Sequence, residues 1–116
     1  MDQQEALTWI QVVQAGRFEG TEVEVKTAHR GLPQRLYETL SAFANHTGGG
    51  VVILGLDERR DFAVVGVDDP QQRLAVLGDQ AARMEPPLRL HPVVVQVDEK
   101  PVIVFEVPEC DYRRKP

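Results

Sequence analysis

Cysteine, aromatic side chains and surplus positive charge are all scarce in this chain, and each scarcity narrows what the protein can be. A single cysteine, Cys110, among 116 residues permits neither an internal disulfide nor a cysteine-based zinc site, and a reducing cytoplasm is the expected setting. No apolar run nears the roughly 20 residues that a membrane helix needs. The opening Met1-Asp-Gln-Gln-Glu5 also lacks the basic and apolar regions of a signal peptide. Aromatics make up 6% of the chain, with one Trp and two Tyr, so platforms for stacking nucleobases are few. The 13 Lys and Arg are outnumbered by 18 Asp and Glu, for a net charge of -5, which opposes a tight nonspecific grip on phosphate backbones. His29, His46 and His91 are far apart and lack the spacing of a helix-borne metal site. No Ser, Thr or Cys sits in a nucleophile elbow, so acyl transfer has no candidate.

What is present reads as one soluble domain spanning 1–116, with 42% hydrophobic and 27% charged residues. Ala6, Trp9, Ile10 and Val13 recur at helical spacing between Asp2 and Gln14, and Gly16 stops that helix. Thr21 to Thr27 alternates, with Val23 and Val25 on one face and Glu22, Glu24 and Lys26 on the other. Pro33 suits the first turn of a second helix, because its missing N–H would have no partner there; Leu36, Leu40, Phe43 and Ala44 give that helix an apolar stripe. Val51 to Leu56 is apolar on both faces, as a central strand is. Asp57 to Asp61 predicts a polar turn into a partner strand, Phe62 to Val67. Asp68 or Asp69 can cap a third helix starting at Pro70, which Pro86-Pro87 ends. Val93 to Val97 and Val102 to Val107, separated by Asp98 to Pro101, predict a second hairpin. The sum is an α/β (α+β) fold, a mixed sheet of about five strands with two to three packed helices.

The densest signal is Ser41-Ala-Phe-Ala-Asn-His-Thr-Gly-Gly-Gly50 running into Val51-Val-Ile-Leu-Gly-Leu-Asp57, preceded by Glu19-Gly-Thr-Glu-Val-Glu-Val-Lys26. In this order the pieces resemble the AlbA-like domain of the Schlafen family, found at the N-terminus of bacterial transcriptional regulators, from about Gly16 to Pro116. Val25 departs from the family's usual Phe or Tyr, a change in packing rather than in chemistry, and Glu22 adds a carboxylate beside the cluster. The resemblance implies a nucleic-acid-binding module, DNA favoured and RNA the alternative. It also implies that the chain, ending at Arg113-Arg-Lys-Pro116, is the N-terminal part of a longer regulator whose further C-terminal domains are missing.

In ribonucleolytic members of the family the positions matching Glu19, Glu24 and Asp57 form a carboxylate cluster. Such a cluster suits Mg²⁺ or Mn²⁺, which activates water and offsets the charge developing at a phosphodiester; Lys26, on the same strand face as Glu24, would then neutralise the phosphate. This makes a metal-dependent endoribonuclease the alternative function. The competing reading of the same residues is a solvated strand face whose charges guard a sheet edge. Arg59 and Arg60, with Arg113, Arg114 and Lys115 in the tail, are the candidates for phosphate contacts. Gly48-Gly49-Gly50 follows a helix and precedes a strand, the reverse of a phosphate loop, and no Gly-Lys-Ser/Thr follows. A left-handed cap and tight turn, with Asn45 and Thr47 bonding its backbone, fits better. His46 lies near the carboxylates through that turn. A third role is assembly, in which exposed strand edges pair between copies into a homo-oligomer.

Overall fold

A computed structural model of the chain describes residues 1–17, 22–28, 31–33 and 35–110. Three helices cover a four-stranded sheet: α1 (Gln3–Gln14) lies on one face, while α2 (Leu36–Ala44) and α3 (Pro70–Ala82) lie on the other. The strands β1 (Val23–Lys26), β2 (Gly50–Leu54), β5 (Val93–Val97) and β6 (Lys100–Val107) are arranged in the order β1-β2-β6-β5. β1 and β2 run parallel, joined by the α2 crossover, and the remaining pairings are antiparallel. Two further strands, β3 (Leu56–Asp57) and β4 (Ala63–Val64), form a separate ribbon.

β2 is buried along its whole length because it must serve two cores at once. Val52 and Leu54 point to the α2/α3 side, where they meet Leu36, Leu40, Phe43, Leu77, Ile103 and Phe105. Val51 and Ile53 point the other way, to Ala6, Ile10, Val13, Val95, Val102 and Val104. Strand periodicity of two explains the division. Trp9 packs at the border of the second core, as its place on the apolar stripe of α1 predicts.

The helices start where their polar residues allow. Asp2 caps α1 by accepting the Glu5 amide on Oδ1 at 2.8 Å, and Asp69 caps α3 by accepting the Gln72 amide at 3.4 Å with Pro70 opening the helix. The second helix starts later than Pro33 predicts. Pro33 instead closes a turn by accepting the Leu36 amide at 3.2 Å, and α2 begins there with no side-chain cap. Similarly, α3 ends at Ala82, before the prolines, its final turn drawn in by Leu88, whose amide donates to the Ala81 carbonyl at 2.9 Å.

The partner strand expected at Phe62 to Val67 shrinks to two residues and does not join the main sheet. Gly55, at φ +118, turns the chain off the sheet after Leu54, and its carbonyl accepts the amides of both Val65 and Gly66. Positive φ at Asp61 and Phe62 then reverses the chain within a short excursion. The last hairpin is tighter than expected. Its turn is Asp98–Glu99 alone, both at positive φ, and β6 already includes Pro101. Proline is tolerated there because its nitrogen faces away from β5, on the side where its own carbonyl accepts the Val67 amide at 2.9 Å.

Candidate functional site

Parallel pairing of β1 and β2 brings their carboxyl ends together, and the candidate residues gather at that end. The Gly55 amide donates to the Lys26 carbonyl at 2.8 Å, and β1 touches β3, so Glu24 and Lys26 lie beside the strand that carries Asp57. Glu24 and Lys26 stand opposite Val52 and Leu54, on the α2/α3 side of the sheet. The charged face of β1 therefore runs along the solvent-exposed rim of a core. Glu24 Oε1 accepts Lys26 Nζ at 2.8 Å, with their side chains 35% and 44% exposed.

Asp57 performs a local task first. As the N-cap of the 3-10 turn Glu58–Arg60 it accepts the Arg59 amide on Oδ1 at 3.0 Å, and Oδ2 lies 3.6 Å from Arg60 Nε. This fixes a corner that displays two guanidinium groups. Arg60 is 76% exposed at its side chain, and Arg59 enters no ion pair among the described residues. Lys100, which sequence reasoning passed over, reaches the same ribbon, its Nζ donating to the Val64 carbonyl at 3.4 Å. Only the tertiary pairing of β4 reveals it; in the sequence it is one more charge beside a turn. Arg59, Arg60 and Lys100 thus border one small ribbon, interspersed with Asp57, Glu58 and Asp61, while the Lys26 side chain pairs with Glu24 on the α2/α3 side of the sheet.

The glycine turn lies at the opposite end of β2. Gly48 and Gly49 both have positive φ, +87 and +70, and the Gly49 amide donates to the His46 carbonyl at 2.9 Å. Asn45 Nδ2 donates to the Ser41 carbonyl at 3.0 Å, and the Gly48 amide donates to Glu109 Oε1 at 3.3 Å. A side chain at Gly49 would run into the Val107 carbonyl oxygen, and one at Gly50 into the Phe43 ring. The glycines are explained by close packing of α2, β2 and the end of β6. His46 meets the added carboxylate, Glu22, with Nε2 3.8 Å from Oε1.

Glu19 of the expected cluster and Arg113, Arg114 and Lys115 of the expected phosphate contacts lie outside the described residues. Among the described residues no three His, Cys, Asp or Glu side chains are grouped to hold a metal ion. One oxygen of Glu24 is engaged by Lys26, and both of Asp57 face the arginine corner. The described residues alone do not make a divalent-cation site. No described helix is long and apolar enough to cross a membrane.

An α/β/α domain with its polar residues collected at the carboxyl end of a parallel strand pair defines the class. The chain belongs to the Schlafen, AlbA_2 family, which matches residues 19–116. It is also similar to the N-terminal domain, solved by NMR in solution, of a RecG-related protein assigned as an ATP-dependent DNA helicase in Nitrosomonas europaea. That similarity has 30% identity and a TM-score of 0.75, and covers 100% of this chain and 78% of that one. The crystal structure of the DIP2311 protein of Corynebacterium diphtheriae shares the fold at 17% identity and a TM-score of 0.60, over 92% of this chain and 22% of that one. No curated protein matches the chain.

Proposed function

We propose that this domain is a nucleic-acid-binding module, with DNA the favoured target, within a bacterial transcriptional regulator that carries further domains. The observation that carries the reading is the capped corner at Asp57, which holds Arg59 and Arg60 at the surface, with Lys100 reaching the same ribbon. In open α/β sheets, ligands bind beyond the carboxyl ends of parallel strands, and this corner occupies that place. Guanidinium groups suit phosphate oxygens because their planar donors can engage two oxygens at once. Family membership and the RecG-related neighbour support the same partner class.

The acidic total of -5 sets the expected character of the binding. Contacts are few and local, so affinity is modest and its salt dependence is that of the few phosphates engaged. A second reading, a metal-dependent endoribonuclease using Glu19, Glu24 and Asp57, is favoured by the contact between β1 and β3, which puts Glu24 and Asp57 on neighbouring strands. A gel assay separates the two. Labelled duplex DNA and tRNA-like RNA are incubated with the protein with and without Mn²⁺. A shift of intact nucleic acid that salt reverses is the expected result, whereas Mn²⁺-dependent cleavage lost in Asp57→Ala would replace the binding reading with the nuclease.

A further inference from the structure

The two edges of the main sheet are built differently. β1, at one edge, carries Glu24 and Lys26 and is preceded by Glu22, charges of the kind that stop an edge from pairing with another strand. β5, at the other edge, reads Val93-Val-Val-Gln-Val97, with no charge and no proline, and its five pairs with β6 run without a bulge. The residues flanking a two-residue turn exchange hydrogen bonds. Val97, Val95 and Val93 therefore address β6, while the backbone N–H and C=O groups of Val94 and Gln96 point away from it. Among the described residues, neither Val94 nor Gln96 makes a backbone hydrogen bond outside the sheet.

Such an edge selects an extended backbone as its partner, and the polar groups at its two ends specify which one. Beyond the N-terminal end lie Arg89 and His91, and at the C-terminal end the turn presents Asp98 and Glu99, all four exposed and without an ion pair among the described residues. From this arrangement we infer that β5 pairs antiparallel with β5 of a second copy, about a two-fold axis through Val95. In that register Val94 lies opposite Gln96 of the other copy, so both sets of outward backbone groups are satisfied. The acidic turn of each copy also comes to the basic end of the other. A parallel or slipped pairing would forfeit this charge match. The sheet then continues from one copy to the other as eight strands, leaving the two Arg59–Arg60 corners free.

Sedimentation velocity across a concentration series tests the pairing, together with Gln96→Pro, which removes an edge N–H, and Gln96→Lys, which adds an edge charge at an exposed side chain. The expected result is a concentration-dependent rise toward twice the 13.0 kDa monomer, weakened by added salt and abolished in both variants. Gln96→Lys keeps the native strand, so a melting curve matching the native domain's at a concentration where both are monomeric shows that the fold survives, even where Gln96→Pro disturbs folding. A monomer at every concentration would overturn the inference, as would a dimer that persists in folded Gln96→Lys.

Discussion

Replacing Gly49 by Ala probes the junction on which the register of β2 depends. At φ +70 an L-residue other than glycine pays about 1–2 kcal/mol in local strain. The new Cβ would also overlap the Val107 carbonyl oxygen and stand 3.0 Å from the Glu109 nitrogen and 3.2 Å from the Pro108 carbonyl carbon. These neighbours are backbone and cannot rotate aside, so β6 or the turn must shift, at a further cost of about 1–3 kcal/mol by comparison with overpacked cores. The sum is about 2–5 kcal/mol, a large share of the roughly 5–15 kcal/mol that holds a domain folded. It corresponds to a fall in Tm on the order of 10–20 °C. Two controls separate the terms. Gly48→Ala meets nothing within 4 Å at φ +87 and should lose only the conformational part, about 1–2 kcal/mol. Gly78→Ala lies inside α3 with open space around it and should gain about 0.5–1 kcal/mol. Urea unfolding followed by circular dichroism gives all three values. Gly49→Ala unfolding at or above the midpoint of Gly48→Ala would refute the steric argument.

Leu40→Ala empties a fully buried position under α2 and should cost about 2–5 kcal/mol in the same unfolding assay. Asp2→Ala removes the α1 cap and should cost about 1 kcal/mol, with helical signal in the folded protein nearly unchanged. Lys26→Ala breaks an ion pair whose partners are 44% and 35% exposed, so it should change stability by only about 0–1 kcal/mol. Any larger effect on nucleic-acid affinity, measured by fluorescence anisotropy, would then belong to binding rather than to folding.

Periodicity carried most of the fold. The stripe of Leu36, Leu40, Phe43 and Ala44 enters the core as predicted, the apolar run expected as a central strand from Val51 to Leu56 forms one as far as Leu54, and Asp69-Pro70 starts α3. The Phe62 to Val67 segment misled because its apolar pattern suits a strand, while Gly55 and Gly66 set the backbone path that keeps most of it out of one. Pro101 misled in the opposite direction. A proline reads as a strand breaker until it is known which side of the strand its nitrogen faces. At the site, the family resemblance identified Glu24, Asp57 and with them Lys26 as candidates, and the polar turn identified Arg59 and Arg60, since binding residues concentrate on turns. It did not show that Glu24 and Lys26 engage each other or that Asp57 caps its own corner, because both depend on side-chain geometry. The approach of Lys100 to Val64 and of His46 to Glu22 arises from tertiary pairing and left no local signal.

The most direct test of the central claim is the salt dependence of duplex DNA binding by the domain and by its Arg59→Ala/Arg60→Ala variant, followed by anisotropy. Each phosphate contact contributes a slope of about -0.9 to the plot of log K against log salt on B-DNA. Measurable, salt-sensitive binding by the native domain is expected, with a slope shallower by about two units in a folded double variant. Indistinguishable slopes, or no salt-sensitive binding by the native domain, would contradict the claim.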